Sequence, residues 1–165
     1  PIEVVIRNIA TGSIVKRLGI EEGKVLPRPI IEFYLKDDKL NDPIVSEEHI
    51  IVFEWATHSE LEEIISLSAR INDFLTGYFY SQKIRLVDFK IEFGRFWSGQ
   101  DNSIMLADEI SPDNCRLWDI LTNKKLDKDR FRQDLGEVDI AYKEVAYRLG
   151  VLSEKEFKKV LKNDF

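Results

Sequence analysis

Acidic side chains crowd one short stretch of this sequence in a pattern that could hold a cation. The run Leu86-Val87-Asp88-Phe89-Lys90-Ile91-Glu92-Phe93-Gly94 alternates apolar and polar residues. Leu106-Ala107-Asp108-Glu109-Ile110-Ser111-Pro112-Asp113 follows it, beyond the loop-forming Ser98-Gly99-Gln100-Asp101-Asn102. Folded as an antiparallel hairpin with its turn centred on Gln100, the two runs set Glu92 opposite Asp108. Cross-strand neighbours have Cβ atoms about 4.5–5.5 Å apart, and two carboxylates at that spacing repel unless a proton or a cation lies between them. Hard oxygen ligands of this kind suit Mg²⁺.

The alternation assigns Val87, Phe89, Ile91 and Phe93 to a packed face, and Asp88, Lys90 and Glu92 to the wall of a cleft. A solvated strand face that keeps an edge from aggregating is the competing explanation. Asp113 and Arg116 tip the balance towards a site, because they follow Asp108 closely in an irregular segment opened by Ser111-Pro112. Three side chains are suited to an oxyanion: Arg7, Ser13 and Arg116. A guanidinium offers a planar donor fork, and a hydroxyl at a helix start adds to the backbone N–H groups there. By spacing alone, pairing of Arg7 with a surface acid and a capping role for Ser13 explain the same residues more simply.

With 165 residues, 44% hydrophobic and 33% charged, the chain has enough material for one globular domain. Its net charge of −6 argues against general nucleic-acid binding. One cysteine, Cys115, and two histidines, His49 and His58, make a disulfide framework or a zinc site a poor fit and point to a reducing cytoplasm. No stretch approaches the roughly 18 apolar residues of a membrane span.

The elements that must position these side chains are legible in outline. Residues 2–8 form a strand, and Thr11-Gly12-Ser13 leads into a short helix, 14–18, that stops at Gly19. Pro27 and Pro29 break the chain before a second strand, 30–35, and the charged run 36–42 is loop. Ser59 with Glu62 reads as the capping box of the longest helix, whose apolar face is Leu61, Ile64, Ile65, Ser68, Ile71, Leu75 and Tyr78. Val138, Ala141, Tyr142, Val145 and Leu149 mark another helix, and Ser153 with Glu156 caps a last one. Strands and helices mix without βαβ alternation, so the fold class is α+β.

Five blocks carry a resemblance beyond these patterns. They are Val5-Ile6-Arg7-Asn8 with Gly12-Ser13; Lys16-Arg17-Leu18-Gly19-Ile20-Glu21-Glu22-Gly23; Leu86 to Lys90 with Glu92-Phe93-Gly94; Ala107 to Asp113 with Cys115-Arg116-Leu117-Trp118-Asp119; and Leu126-Asp127-Lys128-Asp129-Arg130-Phe131-Arg132. Together, in this order, they resemble the phosphoribosylaminoimidazole-succinocarboxamide synthases, the SAICAR synthetase family. The resemblance implies an ATP-dependent ligase of de novo purine biosynthesis. It joins L-aspartate to carboxyaminoimidazole ribonucleotide (CAIR) through an acyl phosphate and gives SAICAR, ADP and phosphate.

By the same resemblance, Arg7, Ser13 and Arg116 hold the ribonucleotide phosphate, Glu92 and Asp108 hold Mg²⁺, and Asp113 meets the aminoimidazole. Lys90 offsets charge near the transferred phosphoryl group, and Lys128 with Arg132 hold the aspartate carboxylates. The family fold is two-lobed and related to ATP-grasp enzymes and kinases. Its N-terminal lobe carries a Gly-Lys-x-Lys segment that residues 1–165 do not match, and the chain opens at Pro1 in mid-strand without Met. The expectation is therefore a C-terminal substrate- and metal-binding domain, 1–165, of a cytoplasmic homodimer that binds neither nucleic acid nor membrane, and inactive by itself without its nucleotide lobe. A small-molecule kinase of related fold and a non-catalytic metal- and phosphate-binding fragment are the alternatives.

Overall fold

β-branched residues dominate the opening segment, and Val4 and Ile6, two apart, are both buried, so Ile2–Ile9 forms a strand, β1. The computed structural model describes residues 1–99, 101–132, 135, 136 and 138–163. After β1 come α1 (Ser13–Leu18), β2 (Val25–Leu35), a 3₁₀ turn (Asp38–Leu40), β3 (Ile44–Val45), α2 (Glu47–Val52), α3 (His58–Ser81) and β4 (Ile84–Ile91). They are followed by β5 (Phe93–Trp97), β6 (Asn102–Leu106), β7 (Cys115–Asp119), α4 (Asp129–Arg132), α5 (Val138–Arg148) and α6 (Glu154–Asn163). Antiparallel strands with flanking helices make the fold α+β, as the sequence pattern required. The chain divides into two units, one of Pro1–Phe74 with Asp88–Glu109 and one of Leu75–Val87 with Ile110–Phe165.

In the first unit the strand order is β3-β2-β1-β4, all pairs antiparallel, with Ile6 opposite Ile31 on one side and Phe89 on the other. Val4, Ile6, Phe33, Phe89 and Ile91 from the sheet, with Ile50, Leu61 and Ile64 from the helices, are among its buried apolar residues. Burying such side chains stabilises by about 1.5–3 kcal/mol each. β2 begins five residues earlier than the prolines led one to expect. Pro27 and Pro29 are exposed, and β3 pairs only with Phe33 and Tyr34, so the prolines lie on a stretch of β2 with no outer neighbour.

The long helix starts earlier too. Its capping box is Thr57 with Glu60: the Glu60 N–H donates to Thr57 Oγ1 at 3.2 Å, and the Thr57 N–H donates to Glu60 at 2.8 Å. Tyr78, assigned to its apolar face, is 42% exposed, and Phe79 is buried in its place. α1 begins at Ser13 with Gly12 at the cap position and ends on Gly19 in the left-handed region.

In the second unit Ile84, Leu86 and Val87 of β4, Leu117 of β7, Leu75 and Phe79 of α3, and Ala141 and Val145 of α5 are buried. β7 is a strand where irregular chain was expected; it lies next to β4 in the sheet. Ser153 and Glu156 cap α6 as their spacing required. Among the described residues no helix is long and apolar enough to cross a membrane.

Candidate functional site

Arg7 lies at the centre of the first unit's polar cluster. It is 3% exposed, and each of its five N–H groups has an acceptor. Nε donates to Glu32 at 2.7 Å and Nη1 to Asp88 at 2.8 Å, with Thr11 O at 3.4 Å. Nη2 donates to Ser13 Oγ at 2.9 Å and Tyr34 Oη at 3.1 Å. Strand geometry sets this up: Asp88 is the register partner of Arg7, while Glu32 and Tyr34 stand two apart on one face of β2. Burial alone would lower the Arg7 pKa; the hydrogen bond to Glu32 and the charge of Asp88 overcome it and raise the pKa further, so Arg7 stays charged. Arg17, on α1, closes the outer side by pairing with Glu32 and donating to Tyr34 Oη at 3.2 Å.

The acid pair departs from its expected geometry. β5 and β6 pair Phe93 with Leu106 through Trp97 with Asn102, one residue out of the expected register. The Ala107 N–H donates to Glu92 O at 2.9 Å, so Glu92 lies beside Ala107 and not opposite Asp108. The hairpin closes between Ser98 and Asp101, whose N–H to O bond is 3.1 Å, with Gly99 at φ +91°. Gln100, the expected turn centre, lies outside the described residues. β4 also ends at Ile91, so Glu92 occupies a break between strands rather than the middle of one.

A cation nevertheless stands at these acids. The Lys36 ammonium pairs with Glu92, and its pKa is raised first by that hydrogen bond and further by the charges of Glu92, Glu3 and Asp108. Glu92, whose oxygen Lys36 now meets, and the nearby Asp108 are the carboxylates here that could bind a cation. Among the described residues no three His, Cys, Asp or Glu side chains converge on one point, so most of the coordination sphere would have to come from water and a bound phosphate. Lys90 pairs with Glu3 at 2.8 Å.

The second unit holds the remaining residues. Arg116 Nε donates to Asp129 at 2.6 Å, and Arg132 Nη1 donates to the other Asp129 oxygen at 2.9 Å. Burial pushes the Asp129 pKa up, but Arg116 and Arg132 together hold it below the usual carboxylate range. Asp127, 1% exposed, accepts the N–H groups of Leu117 and Asp129 at 2.8 Å each and ties β7 to the start of α4. Burial, with the charge of Asp129 adding to it, raises Asp127 to about 6. Asp113 is exposed; the Tyr142 hydroxyl donates to it at 2.7 Å, and Lys128 Nζ lies 3.6 Å from the same oxygen.

Asp88, expected on the wall of a cleft, is buried against Arg7, and sequence reasoning passed over Glu32, Tyr34 and Arg17 around Arg7, Lys36 at Glu92, Asp127 and Asp129 behind Arg116, and Tyr142 on Asp113. Only the i, i+2 spacing of Glu32 with Tyr34 and the acid-basic-acid order of Asp127-Lys128-Asp129 carry a local signal for them.

A buried, fully paired Arg7, an exposed Lys36–Glu92 pair and an Arg116 held by Asp129 are the polar clusters of this α+β protein. The SAICAR synthetase family profile matches residues 1–149, and the chain belongs to that family. It is 66% identical over 154 residues to the phosphoribosylaminoimidazole-succinocarboxamide synthase of Acidiphilium cryptum, a match covering 93% of this chain and 61% of that protein. The crystal structure of the synthase from Ehrlichia chaffeensis superposes with a TM-score of 0.89 at 54% identity, over 93% of this chain and 65% of the other. A SAICAR synthetase in complex with ADP superposes at 0.87 with 44% identity, over 93% and 64%. The chain thus spans about three-fifths of the length of the relatives it matches.

Proposed function

We propose that residues 1–165 are the substrate- and metal-binding part of an ATP-dependent carbon–nitrogen ligase that converts CAIR and L-aspartate into SAICAR. The observation that carries this reading is the family match over residues 1–149, and the ADP held by a relative of 44% identity supports the use of ATP. In this reaction a CAIR carboxylate oxygen takes the γ-phosphoryl group of ATP and ADP leaves. The aspartate amine then attacks the acyl carbon, loses a proton, and phosphate departs with the transferred oxygen.

The chain's own side chains are suited to positioning rather than covalent work, which is what phosphoryl transfer needs. Glu32 and Asp88 fix two edges of Arg7, so that Nη2, which now meets two hydroxyls, is the edge an incoming ribonucleotide phosphate would take together with Ser13. Arg116, oriented by Asp129, is assigned to the same phosphate. Asp113 is assigned to the aminoimidazole, Lys90 to charge near the phosphoryl group, and Lys128 with Arg132 to the aspartate carboxylates. Glu92 and Asp108 would hold Mg²⁺, which when bound offsets charge on the ATP phosphates.

The test is product analysis with the full-length protein. The reading expects SAICAR and ADP in equal amounts, only when ATP, CAIR and L-aspartate are all present. A stable phosphorylated product formed without aspartate would favour a small-molecule kinase instead.

A further inference from the structure

Asp113 presents an exposed carboxylate at a tight turn. The Asp113 N–H donates to Ser111 Oγ at 3.2 Å, the Ser111 N–H donates to Asn114 Oδ1 at 2.9 Å, and the Lys128 N–H donates to Pro112 O at 3.1 Å. These bonds fix the backbone of the turn and leave the rotamer of the carboxylate to whatever holds its oxygens. Two groups do. Lys128 is a flexible, half-exposed ammonium at 3.6 Å, too long for a hydrogen bond, and a point charge that imposes little direction. Tyr142, half-buried on α5, is the directional donor: its hydroxyl meets Asp113 Oδ1 at 2.7 Å.

We propose that Tyr142 is a positioning residue of the ligase, whose hydroxyl fixes the Asp113 carboxylate so that its free oxygen is aimed at the ring amine of the ribonucleotide. The inference rests on the assignment of Asp113 to the aminoimidazole made above. One oxygen is occupied by the phenol and the other stays available to accept an N–H, so the pair reads a donor on the substrate and offers little to a molecule without one. The raised Tyr142 pKa, driven by burial and then by the Asp113 hydrogen bond, keeps the phenol protonated and donating throughout the neutral range.

Tyr142→Phe removes the hydroxyl and keeps the ring, so it separates positioning from packing. In the full-length protein the expected result is a KM for the ribonucleotide raised by about ten-fold, the scale of one hydrogen bond to a charged group. The KM for ATP and the thermal midpoint should be unchanged. Asp113→Asn is measured alongside and should raise the same KM at least as much. A normal ribonucleotide KM in Tyr142→Phe, with Asp113→Asn impaired, overturns the positioning role alone. A normal KM in Asp113→Asn overturns the assignment of Asp113 and the inference with it. Equal increases in both substrates' KM values for Tyr142→Phe mean general damage and also contradict the proposal.

Discussion

Arg7 and Asp88 are register partners on adjacent strands, joined by a 2.8 Å bond between groups only 3% and 4% exposed at their side chains. Such a pair stabilises little relative to an apolar substitute, but removing Asp88 leaves the buried cluster of Arg7, Arg17 and Glu32 with an unbalanced positive charge. Asp88→Ala should therefore destabilise the fold by about 3–5 kcal/mol. Arg17→Ala, at the more exposed outer end of the same cluster, should cost about 1 kcal/mol or less. Urea unfolding of both variants checks the contrast, and comparable small losses would show that the cluster is not the buried lock described.

Arg116→Lys replaces a planar fork by a point charge and loses the Nε bond to Asp129. Steady-state kinetics should find the KM for the ribonucleotide raised far more than that for ATP. Equal effects on the two substrates would count against placing Arg116 on the phosphate.

Asp127 gives the second unit a pH signature. Its folded pKa of about 6 lies above the ordinary value of 3.8, so the folded state binds the proton more tightly than the unfolded chain. Stability from this group is therefore greatest below about pH 4, declines as pH rises through 4 to 6, and is lowest above 6, a span of about 3 kcal/mol at most. Glu60 is held at about 2, first by the Arg95 hydrogen bond. Asp119 is also held at about 2, by hydrogen bonds from Thr122 and Arg148 that outweigh its burial. Both give the opposite slope. Comparing the wild type with Asp127→Asn cancels them, and the wild type should lose stability relative to the variant as pH rises through this window. A flat difference would mean that Asp127 titrates normally.

Asp108 is only partly buried, and its Oδ1 accepts the neighbouring Glu109 N–H at 2.8 Å. Asp108→Asn should leave the unfolding midpoint within about 0.5 kcal/mol of the wild type, as surface substitutions do. Turnover at ordinary Mg²⁺ should fall by about two orders of magnitude or more, the scale on which a lost charge-stabilising contact acts. Near-normal turnover would remove Asp108 from the metal site.

What the sequence made legible follows the range of the interaction concerned. Caps and the αL stop at Gly19 are local, so α1, α3, α6 and the α+β class were within reach, whereas β4 is buried at Leu86, Val87, Asp88 and Phe89 alike and does not alternate as read. The capping box of α3 was misplaced because Ser59 with Glu62 has the same spacing as Thr57 with Glu60, and only packing chooses between them. The partners of Arg7 were not legible, because Glu32 and Asp88 lie 25 and 81 residues away and meet it only through strand register. Register also undid the predicted Glu92 and Asp108 pairing, where a shift of one residue placed Glu92 beside Ala107. Family resemblance supplied the candidate roles, and the geometry around Arg7, Arg116 and Asp113 supplied the residues that orient them.

The route through an acyl phosphate is the central claim, and oxygen labelling tests it most directly. CAIR carrying ¹⁸O at both carboxylate oxygens is turned over by the full-length protein with ATP and L-aspartate, and the released phosphate is analysed by mass spectrometry. The account predicts one ¹⁸O in each phosphate and one retained in the new amide of SAICAR. Unlabelled phosphate, with ATP consumed and SAICAR formed, would contradict it.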